Sequence, residues 1–254
     1  MTQLTVAQVK KRLNDDTLTS QELALFKEDS RKGVQQLVQR YHKEIRQKQE
    51  LRSQYEKMMV FEEDLFQRGF TQVAGIDEAG RGPIAGPVVA GAVILPRDYY
   101  LAGLNDSKKL SLKSREAYFE RIKADADWGV GIVTNKEIDQ INIYQASKLA
   151  MKRAVEDLSG KPEHLLIDAM ELDAISSPQT KLIKGDERSV SIAAASVIAK
   201  VTRDRMMAEI DERYPMYEFR NNQGYGTKPH VEALKNHGPC PIHRKTFAPV
   251  KDLL

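Results

Sequence analysis

Residues 87–95, Pro-Val-Val-Ala-Gly-Ala-Val-Ile-Leu, constrain the fold more than any other stretch. From Val88 to Leu95 the run is unbroken apolar and rich in β-branched side chains. A half-exposed strand alternates apolar and polar positions; a continuous run marks a strand covered on both faces. Eight residues are also too few to cross a bilayer, which takes about 20 in a helix. The flanking segments supply the partners. Strands are expected at Gln72–Asp77, Trp128–Thr134, His164–Asp168 and Thr180–Lys184, and helices at Ser111–Ala126, Ile143–Ser159 and Glu187–Arg213. Strands and helices alternate without a strict repeat, so the expected class is α/β with a mixed sheet.

Residues 1–68 have a different character. They contain no proline, and their first glycine is Gly33. Val34, Val38, Tyr41 and Ile45 recur at helical spacing, and Leu51, Tyr55, Met58, Met59, Leu65 and Phe66 continue it loosely. This predicts a helical N-terminal extension over residues 1–69. A catalytic domain over 70–213 and a C-terminal segment over 214–254 follow. That segment is rich in Pro, Gly and Asn, with a helix near Pro229–Asn236. The N-terminus lacks an apolar leader, and Cys240 is the single cysteine. A reducing, cytoplasmic setting without a membrane is therefore expected. Net charge is only +3, so any basic surface must be local.

Four acids stand where strands stop or a helix starts. Asp77 and Glu78 close the first strand, Asp168 closes His164–Asp168, and Asp186 precedes the long helix. Strand ends in a sheet can converge on one cleft. Acids brought together raise one another's pKa unless a cation neutralises them, and oxygen-only ligands suit Mg²⁺ or Mn²⁺. Three of the acids also have a plain structural alternative, whereas Asp77 is harder to dismiss because it ends an apolar strand. Asp186 is a good N-cap, Asp168 fits a turn, and Glu78 fits a solvated strand end. His237, Cys240 and His243 fall short of a zinc ligand pattern.

Gly80-Arg81-Gly82-Pro83-Ile84-Ala85 follows the paired acids at once. It matches the dinucleotide-binding spacing, but an apolar strand follows rather than a helix, so that reading fails. A tight turn is one alternative. The other is a bare backbone that lets a ligand come close while Arg81 meets a phosphate.

These motifs, with Asp-Ser-Lys-Lys-Leu-Ser (106–111), Lys184–Asp204, Gly-Tyr-Gly-Thr-Lys-Pro-His (224–230) and His237–Val250, resemble bacterial ribonuclease HII, the type 2 ribonuclease H, in order over about residues 70–250. The resemblance implies an RNase H-like fold with a five-stranded mixed sheet flanked by helices. It implies cleavage of RNA in RNA–DNA hybrids and incision 5′ of single ribonucleotides in duplex DNA. The products would be 5′-phosphate and 3′-hydroxyl ends, in ribonucleotide excision repair and RNA primer removal. Asp77, Glu78, Asp168 and Asp186 take the four acidic, metal-holding roles in that comparison, with Mn²⁺ or Mg²⁺ as cofactor. Gly80, Arg81 and Gly82 match the motif that reads the ribose 2′-OH. Tyr225 matches a tyrosine that stacks on the following sugar, and Lys108 and Lys109 look like phosphate contacts. The alternatives are a ribonuclease HIII-like enzyme without junction preference, whose fourth acid is usually Glu, and a non-catalytic nucleic-acid-binding protein of the same fold.

A monomer is expected. The extension carries two further hints. Lys43, Arg46, Lys48 and Arg52 cluster where acids are few. Gln21–Phe26 (Gln-Glu-Leu-Ala-Leu-Phe) loosely resembles the peptide by which bacterial proteins dock on the sliding clamp, with spacing off by one residue. The competing expectation is that Leu23, Leu25 and Phe26 pack internally.

Overall fold

The β-branched run forms a central strand of a five-stranded sheet in the computed structural model, which describes residues 4–15, 17–173 and 175–254. By internal contacts the chain divides into two units, Met1–Gln54 and Tyr55–Leu254.

The first unit contains α1 (Val6–Leu13), α2 (Ser20–Glu28) and most of α3 (Lys32–Met58). Val9, Leu13, Phe26, Val34 and Val38 form its core, with Leu18, Leu23, Leu37 and Tyr41 partly buried around them. The predicted Val34, Val38, Tyr41 stripe is thus the inward face of α3. Two capping boxes start the short helices, Thr5 with Gln8 and Thr19 with Glu22. Arg12 then ties α1 to α2 through a two-pronged ion pair with Glu22 at 2.6 and 2.8 Å.

The second unit begins with the end of α3 and with α4 (Val60–Gln67), then builds the sheet. Its strands are β1 (Val73–Ala79), β2 (Val88–Ile94), β3 (Asp127–Val133), β4 (His164–Asp168) and β5 (Gln179–Leu182), in the order β3-β2-β1-β4-β5. The three strands β3, β2 and β1 pair antiparallel, while β4 pairs parallel to both β1 and β5. Every residue of β2 is buried, as the run predicted. One face packs on α6 (Asn135–Glu156) through Ala146, Ala150, Met151 and Ala154. The other packs on α7 (Val190–Arg213) through Ala193, Ala194, Ala195 and Ile198. The small residues of α7 meet glycines in the sheet: a Cβ on Gly75 would collide with the Ser191 backbone, and one on Gly91 with the Ala195 carbonyl. Helix and sheet therefore lie in backbone contact above β1 and β2.

Some boundaries move. Helix α6 starts at Asn135 rather than Ile143, because Thr134 and Glu137 make a capping box. It breaks at Asn142 (φ 67°, ψ 163°), whose side-chain oxygen accepts the N–H groups of Tyr144 and Gln145. The apolar pattern starting at Ile143 therefore marks a second, internal helix start. The long helix begins at Val190 and its N-cap is Ser189. Asp186 lies earlier, in a separate 3₁₀ turn, Gly185–Glu187, so it is no cap of α7.

The remaining helices are α5 (Leu112–Asp125), α8 (Phe219–Asn222) and α9 (Lys228–His237). Near α9, His230 and His243 are buried with their Nε2 atoms 3.0 Å apart, and Cys240 Sγ lies 3.1 Å from His243 Nδ1. Burial, aided by His230, pushes His243 down to about 4, so it stays neutral at physiological pH. This cluster packs against Tyr217 and Phe219 and is structural. His237 meets the edge of the Tyr217 ring from the last turn of α9. No helix among the described residues is long and apolar enough to cross a membrane.

Candidate active site

Strand β1 runs two residues past Asp77, and the pleat puts Asp77 on the face of Gly75 and Glu78 on the face of Ile76. Both nevertheless line one cleft of about 300 Å³ at the strand's end, together with Asp168. The parallel register explains the third acid. Ile76 pairs with Ile167, so Asp77 and Asp168 are each one step beyond the last couple of that ladder.

Asp186 is absent from that lining and reaches the group by two links. Asp168 Oδ1 accepts the Gly185 N–H at 2.6 Å, which anchors the turn carrying Asp186. Lys108 Nζ then lies 3.7 Å from Asp186 Oδ2. Lys184 enters the turn left-handed (φ 55°), and a Cβ on Gly185 would crowd Ile192 and Leu182.

The electrostatics are those of crowded like charges. Asp77 is 5% exposed; burial, then Glu78, Asp168 and Asp186, push its carboxyl well above the ordinary range. Burial pushes Glu78 up to about 7 even though Arg81 opposes it from 3.2 Å, with Asp168 adding to the rise. Asp186 rises through burial, then Asp106 and Asp168. Burial pulls Lys108 down, but Asp106, Asp77, Asp186 and Asp168 together outweigh it and raise that ammonium. The cluster thus draws positive charge.

The donor set fits a hard divalent ion. Its donors are all carboxylate oxygens, and Glu78 Oε2 is buried with no hydrogen-bond partner. The acids are not drawn in around a point, and among the described residues no three Asp, Glu, His or Cys side chains stand as a ready cage.

The glycine loop stands beside the acids. Gly80, Arg81, Gly82, Lys108 and Tyr225 line the same cleft. Gly80 has φ +96°, and a Cβ there would collide with the Arg203 side chain. Gly82 is free of that constraint; its nearest neighbour would be Tyr225 Cε1, at 3.4 Å. Tyr225 is 47% exposed, so it offers a ring surface to a ligand. Lys109 turns elsewhere and pairs with Glu187 at 3.0 Å.

Several residues here escaped the reading of the sequence. Arg203 and Arg244 are buried, and burial pushes them down to about 10 and about 9. Arg244 donates to the carbonyls of Gly80, Arg81, Gly86 and Pro87, and Arg203 to those of Pro87, Ala85 and Gln223. Asp106 is a further buried carboxylate beside the four predicted acids, 3.9 Å from Lys108. Ser107 and Ser196 share a hydrogen bond of 2.8 Å at the cleft wall. The one signal available was that each sits inside or beside a quoted motif.

The family model described as Ribonuclease HII matches residues 74–250, and the one described as Ribonuclease HII N-terminal domain matches residues 5–66. The chain belongs to the ribonuclease HII family. A ribonuclease HII from Enterococcus faecalis is 55% identical over 237 residues, 93% of this chain and 92% of that one. Among solved structures, ribonuclease H2 from Pyrococcus horikoshii superposes with TM-score 0.59 at 31% identity, covering 72% of this chain and 96% of its own. The ribonuclease HII of Archaeoglobus fulgidus, solved as a complex with PCNA, gives 0.57 at 27% identity, covering 69% and 95%. The five-stranded mixed sheet is accordingly an RNase H-like fold. As a ribonuclease HII the protein is a hydrolase, an endoribonuclease that acts on RNA–DNA hybrids.

Proposed function

We propose that the cleft cuts 5′ of single ribonucleotides embedded in duplex DNA as well as within hybrids, leaving 5′-phosphate and 3′-hydroxyl ends, and that it serves ribonucleotide excision repair and primer removal. The observation that carries this reading is the sharing of one cleft by Asp77, Glu78 and Asp168 with Gly80, Arg81 and Gly82.

Asp77, Glu78, Asp168 and Asp186 would hold Mg²⁺ or Mn²⁺. Such an ion supplies a Lewis acid that lowers the pKa of water and steadies charge on the leaving oxygen. The protein's own groups do the selecting. Arg244 takes the carbonyls of Gly80 and Arg81. Across each trans peptide the following N–H points the opposite way, so those of Arg81 and Gly82 are turned from Arg244. Donors and acceptors there would meet a 2′-OH, the group that separates RNA from DNA. The exposed face of Tyr225 would take the neighbouring sugar, and Lys108 a phosphate beside the acids. Lys109, held by Glu187, would contribute only after that pair opens.

Docking on a sliding clamp through Gln21–Phe26 is the weaker half of the partner reading. Phe26 is 7% exposed in the core of the first unit, whereas Leu25 is 63% exposed. Clamp binding by that stretch would need Phe26 to leave its core, and a pull-down comparing Leu25→Ala with the parent would detect any binding that uses the helix as folded.

A nicking assay on duplex DNA with one ribonucleotide tests the main reading. The expected result is a single cut 5′ of the ribonucleotide with Mn²⁺ or Mg²⁺ and none with EDTA. Cleavage of a continuous hybrid without that cut would point to an enzyme lacking junction preference, and cleavage of neither to a binding protein.

A further inference from the structure

The buried pair His230 and His243 forms a chain of hydrogen bonds that has a direction and ends on Tyr225. His230 Nδ1 lies 2.8 Å from the Tyr225 carbonyl oxygen, and His230 Nε2 lies 3.0 Å from His243 Nε2. His243 Nδ1 lies 3.0 Å from the Cys240 backbone nitrogen and 3.1 Å from Cys240 Sγ. The two ends fix where the hydrogens sit. A carbonyl only accepts, so His230 carries its hydrogen on Nδ1. A backbone N–H only donates, so His243 Nδ1 is bare and the hydrogen of that ring is on Nε2. The Cys240 carbonyl, 3.3 Å from His243 Nδ1, already accepts the His243 backbone N–H at 3.0 Å. Between the rings there is then one N–H···N bond, donated by His243 and accepted by His230. Burial pulls both rings below the ordinary histidine range, His243 to about 4, so one hydrogen per ring is the state at neutral pH.

Both ends of this chain are fastened to the glycine loop of the cleft. His243 pairs with Ala85 in an antiparallel bridge. Its neighbours continue the pairing: Gly86 N–H donates to the Ile242 carbonyl at 3.0 Å, and Arg244 N–H to that of Ile84 at 2.9 Å. At the other end, Ile84 N–H donates to the Gly224 carbonyl at 2.9 Å. The Tyr225 carbonyl also accepts Thr227 N–H at 2.8 Å, which closes the turn on which the tyrosine stands. The Tyr225 ring is half exposed, so packing holds it only on one side and its backbone decides where it sits.

We propose that His230 is a positioning residue: backed by His243, it holds the Tyr225 carbonyl and so keeps the tyrosine ring on the cleft wall beside Gly82, where the sugar next to the scissile ribonucleotide rests. This rests on the reading of Tyr225 as the residue that stacks on that sugar. An aliphatic pair would fill the same space at less desolvation cost. Two rings with all four nitrogens engaged instead admit one orientation, and they transmit it to the backbone they grip.

Two variants of the full chain divide the nitrogens of His230. His230→Asn keeps an amide N–H near Nδ1 for the Tyr225 carbonyl and drops the acceptor for His243. His230→Gln keeps an oxygen near Nε2 for His243 and drops the donor for Tyr225. Each leaves one buried group unpaired, so urea unfolding should show similar losses of stability. Steady-state incision of duplex DNA carrying one ribonucleotide should separate them. His230→Gln should raise KM roughly tenfold with kcat little changed, within the range of a lost stacking contact. His230→Asn should recover most of that rise. In a Tyr225→Ala background, His230→Gln should add nothing further, because both changes remove the same contact. Equal KM values for the two His230 variants overturn the proposal. So does an additive rise in the Tyr225→Ala background, which would show that His230 acts through another group. A parent-like KM for Tyr225→Ala alone would instead fault the stacking reading, and the proposal would fall with it. Nitrogen NMR of the histidine-labelled parent tests the chain without any variant. His230 should appear as the Nδ1–H tautomer and His243 as the Nε2–H tautomer; any other assignment overturns the proposal.

Discussion

Arg244 donates to the backbone carbonyl of Arg81 at 2.9 Å from a guanidinium that is itself fully buried. The same side chain serves Gly80, Gly86 and Pro87, so one planar fork holds both ends of the loop that flanks the acids. A buried acceptor left without a donor costs about 1–3 kcal/mol. Arg244→Met should therefore lower stability by at least about 3 kcal/mol. Arg244→Lys should recover only part of this, because a single ammonium cannot span four carbonyls. Urea unfolding of the three proteins measures the order, and a lysine variant as stable as the parent would remove the scaffold role.

Asp168→Asn keeps the oxygen that accepts the Gly185 N–H while deleting a charge. The metal-free variant should melt no earlier than the parent, since Asp77, Glu78 and Asp186 lose a like-charge neighbour. Cleavage should fall by roughly 10²–10³-fold, the scale of removing one preorganised charged or polar group. Calorimetry and a nicking assay read both; near-normal cutting by the folded variant would take Asp168 out of the site.

The two loop glycines should separate. Gly80→Ala forces a methyl into Arg203 at φ +96° and should destabilise the fold. Gly82→Ala meets only Tyr225 at an ordinary contact distance, so its melting temperature should hold. Its methyl would stand on the cleft wall, and incision at a ribonucleotide junction should drop by about tenfold, or 1.4 kcal/mol. Equal melting temperatures with equal activities would assign the loop no role.

For Tyr225, half exposed, the ring matters more than the hydroxyl if it stacks on sugar. Tyr225→Phe should be mild. Tyr225→Ala should cost on the order of 1–3 kcal/mol in substrate binding, with little change in melting temperature. Equal losses from both changes would count against stacking.

Glu62 of α4 is 1% exposed, and its Oε1 accepts the Ser189 hydroxyl at 2.5 Å and the Ser191 N–H at 3.0 Å. It thus completes the cap of α7, just after the Asp186 turn. Burial pushes this carboxyl up, with the Ser189 and Ser191 hydrogen bonds opposing. Between the ordinary carboxylate pKa and the raised one, the folded protein binds more protons than the unfolded chain, so stability falls as pH rises. Glu62→Gln keeps the acceptor and should flatten that slope above about pH 4.5. Glu62→Ala should cost about 1–2 kcal/mol through the lost cap. Thermal melts from pH 4 to 8 distinguish them, and parallel curves for the parent and the Gln variant would show that Glu62 does not titrate there.

Local pattern by itself determined much of this protein. The unbroken run at 88–95 announced a strand covered on both faces, and His164–Asp168 announced a strand ending in an acid. Both hold because side-chain periodicity reports directly on which faces are buried. The stripe on α3 was legible for the same reason. The start of α6 was not, because the Asn142 break resets the helical phase and hides the true cap at Thr134. Only the tertiary structure decided that Asp186 belongs to a turn tied to Asp168, and that Glu78 lines the cleft beside Asp77 although it sits on the other face of β1. Phe26 was likewise settled by packing, since an apolar residue on a short amphipathic helix serves a core or a partner equally well. Arg203 and Arg244 lay furthest out of reach. In sequence a guanidinium reads as surface, and only carbonyls brought together from Gly80–Pro87 and Gln223 make its burial tolerable.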